Sequence, residues 1–305
     1  MKLTDKITAV GQMQKYIATN LSDVITLDDL SLAAGYSKFH AARMFKELSG
    51  KSPHEYIRAM RLTSAARDLR DNGGKIVDIA LESGYDSHDG FTRAFAKQFG
   101  ITPKKYAEEK PPVPYFTAST VSAYYSLKSE ENNMHNTKNE KVPTTVTVTA
   151  VERPARKLIL LRAKNTTGGD YFAFCEEMTC DWEGMLGSIP EKLTSAALLT
   201  LPQNLVKPGT SDTAAGVEVP ADYKKPVPDG YDIIDLPPCT MLFFQGSTYE
   251  NEDDFCIAIG IVWGAVDNYD PTRYGYALAP ELAPRFNFGA DAKMGALQAI
   301  PVKII

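Results

Sequence analysis

Apolar positions along this chain follow two different rhythms. Through the first 110 residues they recur three and four apart, the spacing of helices with one buried stripe; from about residue 145 they alternate or run together, as strands do. The helical stretch carries one pattern twice. Asp29-Leu30-Ser31-Leu32-Ala33-Ala34-Gly35-Tyr36 recurs 49 positions later as Asp78-Ile79-Ala80-Leu81-Glu82-Ser83-Gly84-Tyr85. Beyond the tyrosine the offset is 50, which pairs Arg43 with Arg93, Phe45 with Phe95, Gly50 with Gly100, Pro53 with Pro103 and Tyr56 with Tyr106. Each copy reads as helix, tight turn, helix. In the first, Leu27, Leu30, Leu32 and Ala33 form an inward face, Gly35 stops the helix, and Ser37 caps a second helix carrying Met44, Phe45 and Leu48 inward until Gly50. In the second, Ile76, Ile79 and Ala80 take the first face, Gly84 the turn and Asp86 or Ser87 the cap, and Phe91, Phe95 and Phe99 follow four apart. Between the copies, Tyr56, Ile57, Met60, Ala65 and Leu69 predict one helix over 53–72. At about 1.5 Å per residue it spans roughly 30 Å.

Pro111-Pro112-Val113-Pro114 cannot continue a helix and closes a first domain at residue 110. A linker over 111–143 follows: Tyr115 to Leu127 as a short strand or packed extension, then a polar tether from Lys128 to Val142. In the domain expected over 144–305, strand patterns begin at Thr145, Lys157, Ala196 and Ala214, with a helix from Asp170 through Phe172, Cys175, Met178 and Trp182. The order then restarts with strands from Tyr231 and Thr240, a helix from Asp253 to Val266, and strands from Tyr274, Arg285 and Gln298. The expected fold class is an all-α double helix-turn-helix followed by an α+β domain. That second domain repeats strand-helix-strand-strand, so its two halves can face each other across a cleft.

Charge changes the picture. With 33 Lys+Arg against 38 Asp+Glu the chain is acidic overall, at −5, which argues against nucleic acid as a partner. Residues 1–110 hold 17 basic and 14 acidic side chains and the remainder 16 and 24, so a first half at +3 precedes a second at −8. Cys175, Cys180, Cys239 and Cys256 form no Cys-x-x-Cys pair and lie far along the chain from His40, His54, His88 and His135. No metal or cofactor is expected, and the cysteines read as free thiols in a reducing cytoplasm. No secretory signal or apolar run long enough to span a bilayer is seen, so no membrane partner is expected.

The second helix of a helix-turn-helix can enter the major groove of double-stranded DNA. The exposed faces expected here offer Ser37, Lys38, His40, Arg43 and Lys46 in the first copy, and Ser87, His88, Asp89, Thr92, Arg93 and Lys97 in the second. Arginine bonds guanine bidentately, while lysines and hydroxyls hold phosphates. The intervening helix has the length to set the two recognition helices about one duplex turn apart on a single chain.

Gly35-Tyr36-Ser37-x-x-His40, Arg43-Met44-Phe45-Lys46 and Gly50-x-x-Pro53-x-x-Tyr56, with Gly84-Tyr85, Phe91-Thr92-Arg93-x-Phe95 and Gly100-x-x-Pro103-x-x-Tyr106, resemble the AraC/XylS DNA-binding domain over about residues 8–108. The resemblance implies base or sugar contacts from Phe39, Arg43, His88, Asp89 and Arg93, and backbone contacts from Lys38, Lys46, Thr92 and Lys97. It also implies transcription activation and contact with RNA polymerase.

The second half resembles the GyrI-like effector-binding domain. The resemblance rests on its duplicated layout and on Gly216-Val217-Glu218-Val219-Pro220, Leu236-Pro237-x-Cys239, Pro284-x-Phe286 and Ile300-Pro301-Val302-Lys303. It implies a small-molecule effector, aromatic or cationic, bound between the halves. Tyr171, Trp182, Tyr231, Phe243, Trp263 and Phe286 are its candidate aromatic lining, with Glu177 and Asn287 as polar contacts. Several relatives place a carboxylate in Pro-x-Phe-Glu-x-Tyr; here Asn287 stands in place of the Glu and Gly289 in place of the Tyr. A cation would then need Glu176, Glu177, Glu183 or Glu218. Two alternatives stand beside effector binding. One is a hydrolase of reactive small molecules using Trp182 with Glu177 or Glu183, although no His beyond His135 allows a Ser-His-Asp set. The other is a protein-interaction module.

Overall fold

The computed structural model describes residues 2–118, 121, 145–179, 181–250 and 254–305, and the contacts divide the chain into two compact units, 1–137 and 138–305. The described part of the first unit is helical: α1 Leu3–Thr19, α2 Leu27–Ala34, α3 Lys38–Ser49, α4 Pro53–Asp71, α5 Ile76–Glu82, α6 His88–Phe99 and α7 Pro103–Glu109. α2–α3 and α5–α6 are the two helix-turn-helix copies. Gly35 and Gly84 take φ of 70° and 76° in the turns, a left-handed conformation that glycine adopts without a Cβ clash.

Capping matches the sequence logic with one exception. Thr26 and Asp29 cap α2 reciprocally, as Ser52 and Glu55 cap α4, and Ser87 accepts from the Gly90 amide at 3.2 Å. Ser37 stands at the N-cap of α3, but its hydroxyl makes no capping bond. Leu27 and Leu32, expected inside, are 46% and 80% exposed, because Leu30 and Ala34 alone turn the short α2 toward its neighbours.

Two cores form. Ala9, Val10, Met13 and Ile17 of α1 pack with Leu30, Met44, Phe45 and Tyr56. Leu62, Ala65, Ala66 and Leu69 pack with Ile79, Phe91, Phe95, Phe99 and Tyr106. α4 serves both, its first turns in one core and its later turns in the other. The domain does not stop at residue 110. Val113 and Tyr115 are buried in the second core, and Phe116 and Val121 pack in the first. The stretch from Tyr115 is thus a packed extension in its described part, tied by Tyr106 Oη to Tyr115 Oη at 2.7 Å and by the Val121 amide to Gln14 Oε1 at 2.8 Å. The expected tether lies outside the described residues.

The second unit is one antiparallel sheet carrying helices on one face. Its described elements are β1 Thr147–Arg153, β2 Arg156–Arg162, α8 Tyr171–Met178, α9 Trp182–Gly187, β3 Ala197–Thr200, β4 Thr213–Pro220, β5 Asp232–Leu236, β6 Cys239–Gln245, α10 Phe255–Asp267, β7 Tyr276–Leu278, β8 Arg285–Asp291 and β9 Gly295–Ile304. Asp170 caps α8, accepting from the amides of Phe172 and Ala173.

The sheet runs β1-β6-β9-β8-β3-β4-β2-β5, with β7 beside β9. Reversed, this order maps β1 onto β5, β2 onto β6, β3 onto β8 and β4 onto β9, the signature of an internal two-fold. The expected strand-helix-strand-strand unit appears twice, as β2 to β4 and as β6 to β9. Each is preceded by a strand that crosses to pair with the other half. The halves meet where β3 pairs with β8, at Leu198–Asn287, Leu199–Phe286 and Thr200–Arg285. Directly paired residues share a face, so Leu198, Asn287, Gln298 and Phe244 lie on one side and Leu199, Phe286, Ala299 and Phe243 on the other. α8 and α9 cover the first side of one half and α10 that of the other.

Candidate nucleic-acid interface and ligand cleft

α3 turns Ala41, Met44 and Phe45 into its core, which leaves Lys38, Phe39, Arg43 and Lys46 exposed beside Ser37. Phe39 is 91% exposed at the first turn, an unusual cost for a large apolar ring unless a partner covers it. Arg43 Nη2 lies 3.4 Å from His40 Nδ1, and His40 stacks on Tyr36 at 5.3 Å. Lys38 pairs with Asp28 at 2.6 Å between two largely exposed side chains, a contact weak enough to exchange for a phosphate.

α6 repeats the geometry. Phe91, Phe95 and Phe99 face inward, and His88, Asp89, Arg93 and Lys97 face solvent. His88 Nδ1 sits 3.6 Å from the Asp89 carboxylate. Thr92 departs from its expected place: its hydroxyl is enclosed, so it is not presented to a phosphate. It matches Ala42 of the first copy, on the flank of the helix rather than its outer face. Arg61, which lies between the copies, is committed elsewhere, with Nε donating to Leu21 O at 2.9 Å. Two matching helix-turn-helix units, each presenting an arginine from its second helix, define the first unit as a double helix-turn-helix domain.

A family model described as a helix-turn-helix domain matches residues 30–109. The right origin-binding protein of Escherichia coli K12 is 41% identical over 102 residues, 33% of this chain and 35% of that one. The multiple antibiotic resistance protein MarA of Salmonella typhimurium is 36% identical over 103 residues, 34% of this chain and 80% of MarA. The activator AarP of Providencia stuartii is 34% identical over 97 residues, 32% of this chain and 72% of AarP. The chain belongs to the AraC-type helix-turn-helix family. It spans about a third of the length of the Escherichia coli relative.

The expected lining of the second unit does not converge on one place. Phe243 and Phe286 lie on the sheet face opposite the helices, where both ring-stack with Phe288. Tyr171, Trp182 and Tyr231 pack in the core beneath α8 and α9, with Trp182 only 4% exposed. Glu177 is saturated: the amides of Lys164, Asn165 and Thr166 and the Thr166 hydroxyl all donate to it. Partial burial pushes its carboxyl upward, but these donors outweigh it and hold the group at about 2. Glu183, in contrast, is raised by burial despite accepting from Tyr171 Oη at 2.9 Å.

Trp263 and Asn287 meet at a third place. They lie over the β3–β8 junction with Gly169, Leu198, Thr200 and Arg285, around a gap too narrow to admit water. Beyond Thr200 and Arg285 it adjoins a recess of about 390 Å³ lined by Pro202, Val266, Leu278, Pro280 and Ile300 among others. Arg285, which lines both the gap and the recess, lies outside the expected set, as does Gln298, whose Oε1 Arg285 Nη2 reaches at 3.3 Å. Alternation from Asn287 would have found Arg285. No helix among the described residues is long and apolar enough to cross a membrane, and no group of three or more possible metal ligands occurs among them.

Proposed function

We propose that the protein regulates transcription by reading duplex DNA with α3 and α6, under the control of a small molecule bound in the second unit. The carrying observation is the repeated outward arginine, Arg43 and Arg93, at one structural position in two units joined by the single helix α4. Amide groups at the first turns of α3 and α6 supply further phosphate contacts. A net charge of only +3 over residues 1–110 makes affinity depend on these placed groups and fall steeply with salt. Activation through RNA polymerase in the cytoplasm is the role the family supports. Selection of bound duplexes from a random library, followed by mobility shift at physiological salt, tests the reading. Failure to enrich any sequence sinks it. In vitro transcription from a selected site then gives the sign of regulation.

For the second unit, effector binding is supported by the two-fold layout and by the closed cleft at its centre. Hydrolysis of a reactive small molecule is the second reading, supported by the raised Glu183 carboxyl beside the buried Trp182. Turnover of electrophiles that is lost in Glu183→Gln would favour it; Glu177 has no free oxygen lone pair to offer.

A further inference from the structure

The cleft at the β3–β8 junction has a definite chemical polarity. Its ionised groups are one cation, Arg285, and one carboxylate, Asp267. The guanidinium lies over the Trp263 ring at 4.2 Å from its centroid. Its Nη1 and Nη2 both reach Asp267 Oδ1 at 3.3 Å, and Nη2 reaches Gln298 Oε1 at 3.3 Å. These are long contacts, since an arginine–carboxylate bond settles near 2.7–2.9 Å. Asp267 is also 61% exposed, so water weakens the pair. Meanwhile Arg285 Nε and Gln298 Nε2 are buried and have no acceptor among the described residues, and Gln298 is 1% exposed. Buried donors without partners are costly. Two buried donors at the cleft therefore lack acceptors.

We infer that this cleft takes a flat apolar anion, an aromatic carboxylate or its like, whose ring replaces the guanidinium on Trp263 and whose acid group takes Arg285 from Asp267. The inference rests on the effector-binding reading of the second unit and names the ligand class of that site. Arg285 lines both the closed gap and the adjoining recess of about 390 Å³, so its departure from Trp263 joins them into a space of ligand size. The acid group then satisfies the guanidinium and accepts from Gln298 Nε2. A cation would meet the like charge of Arg285 and leave both donors unmet. Asn287, a neutral amide on the same lining, offers a cation no countercharge.

Calorimetry of the full chain with three probes that share one naphthalene ring tests this: 2-naphthoate, its methyl ester, and 2-naphthylmethylammonium. The carboxylate is expected to bind at least about tenfold more tightly than the other two, the worth of charge-assisted hydrogen bonds. Arg285→Gln, a partly exposed position, is expected to remove that advantage while keeping ester binding. Equal or better binding of the ammonium or the ester, or an unchanged preference in Arg285→Gln, overturns the anion assignment and leaves effector binding standing. No binding by any probe at millimolar concentration overturns both.

Discussion

Removing the Tyr115 ring should unfold the first unit well before the second. Tyr115 is 3% exposed and belongs to the core of α4, α6 and α7, though it lies beyond the second helix-turn-helix. Its ring meets Phe99 edge-on at 6.4 Å, and Arg67 and Arg70 stand over it at 5.4 and 5.6 Å. Truncating a buried aromatic costs about 3–5 kcal/mol. Loss of the hydroxyl alone leaves Tyr106 Oη without its 2.7 Å partner, a cost of about 1–3 kcal/mol. Tyr115→Ala should therefore lose about 3–5 kcal/mol and Tyr115→Phe about 1–3. At about 4–8 °C per kcal/mol for a domain of this size, the alanine variant melts more than about 10 °C early.

The two units can be watched separately. Both tryptophans, Trp182 and Trp263, lie in the second, so their emission reports that unit alone, whereas ellipticity at helical wavelengths is dominated by the first. The expected result is an early ellipticity transition with the tryptophan transition in place. An ellipticity midpoint within about 0.5 kcal/mol of the parent, the range of a surface substitution, would refute the packed extension.

Arg43→Ala and Arg93→Ala should each weaken specific DNA binding by about 1–3 kcal/mol and relax preference at one position, read by mobility shift on variant duplexes. Phe39→Ala should weaken DNA binding without lowering the melting temperature, because the ring is 91% exposed. Lys46→Ala should lower the salt slope of binding by about 1 and leave sequence preference unchanged. Burial raises the hydroxyls of Tyr106 and Tyr115 above their ordinary value of 10.0, so the folded state holds protons that the unfolded chain releases. Stability of the first unit should be full below about pH 10 and fall above it. Glu177 runs the other way: depressed from 4.5 to about 2, it stabilises the second unit above about pH 4.5, and that part is lost as pH falls toward 2.

The first unit was legible because its signals are local and occur twice. Glycine turns, caps and aromatic stripes fall within a few residues of one another, and repetition separates a functional arginine from an ordinary solvated one. The elements without a clear sequence signal are unrepeated. α1 buries a polar residue, Gln14, within its apolar stripe, where it donates to Tyr56 Oη at 3.1 Å and accepts from Val121, so the stripe reads as broken. α7 is only 7 residues long. Tyr115 follows prolines that mark an end of helix, and a helix end is not a domain end.

The cleft failed to read for a different reason, which concerns faces. Every described strand was anticipated within a few residues, yet the proposed lining mixed both sides of the sheet. In a sheet with one solvated face, alternation of apolar and polar residues says which side chains point inward. Here β8 reads Arg285-Phe286-Asn287-Phe288 and alternates cleanly, but both of its faces are covered. Phe286 and Phe288 belong to the packed side away from the helices, and Arg285 and Asn287 to the cleft. The expectation that aromatics line a pocket therefore drew residues from both faces. Only the pairing of Leu198 with Asn287 and of Asn287 with Gln298 fixes the parity, and those partners lie 89 and 11 residues away in sequence. Once parity is fixed, the polar members of the strand define the cleft. Its proposed chemistry then rests on Arg285 and Gln298, whose Nε and Nε2 donors are buried without an acceptor among the described residues.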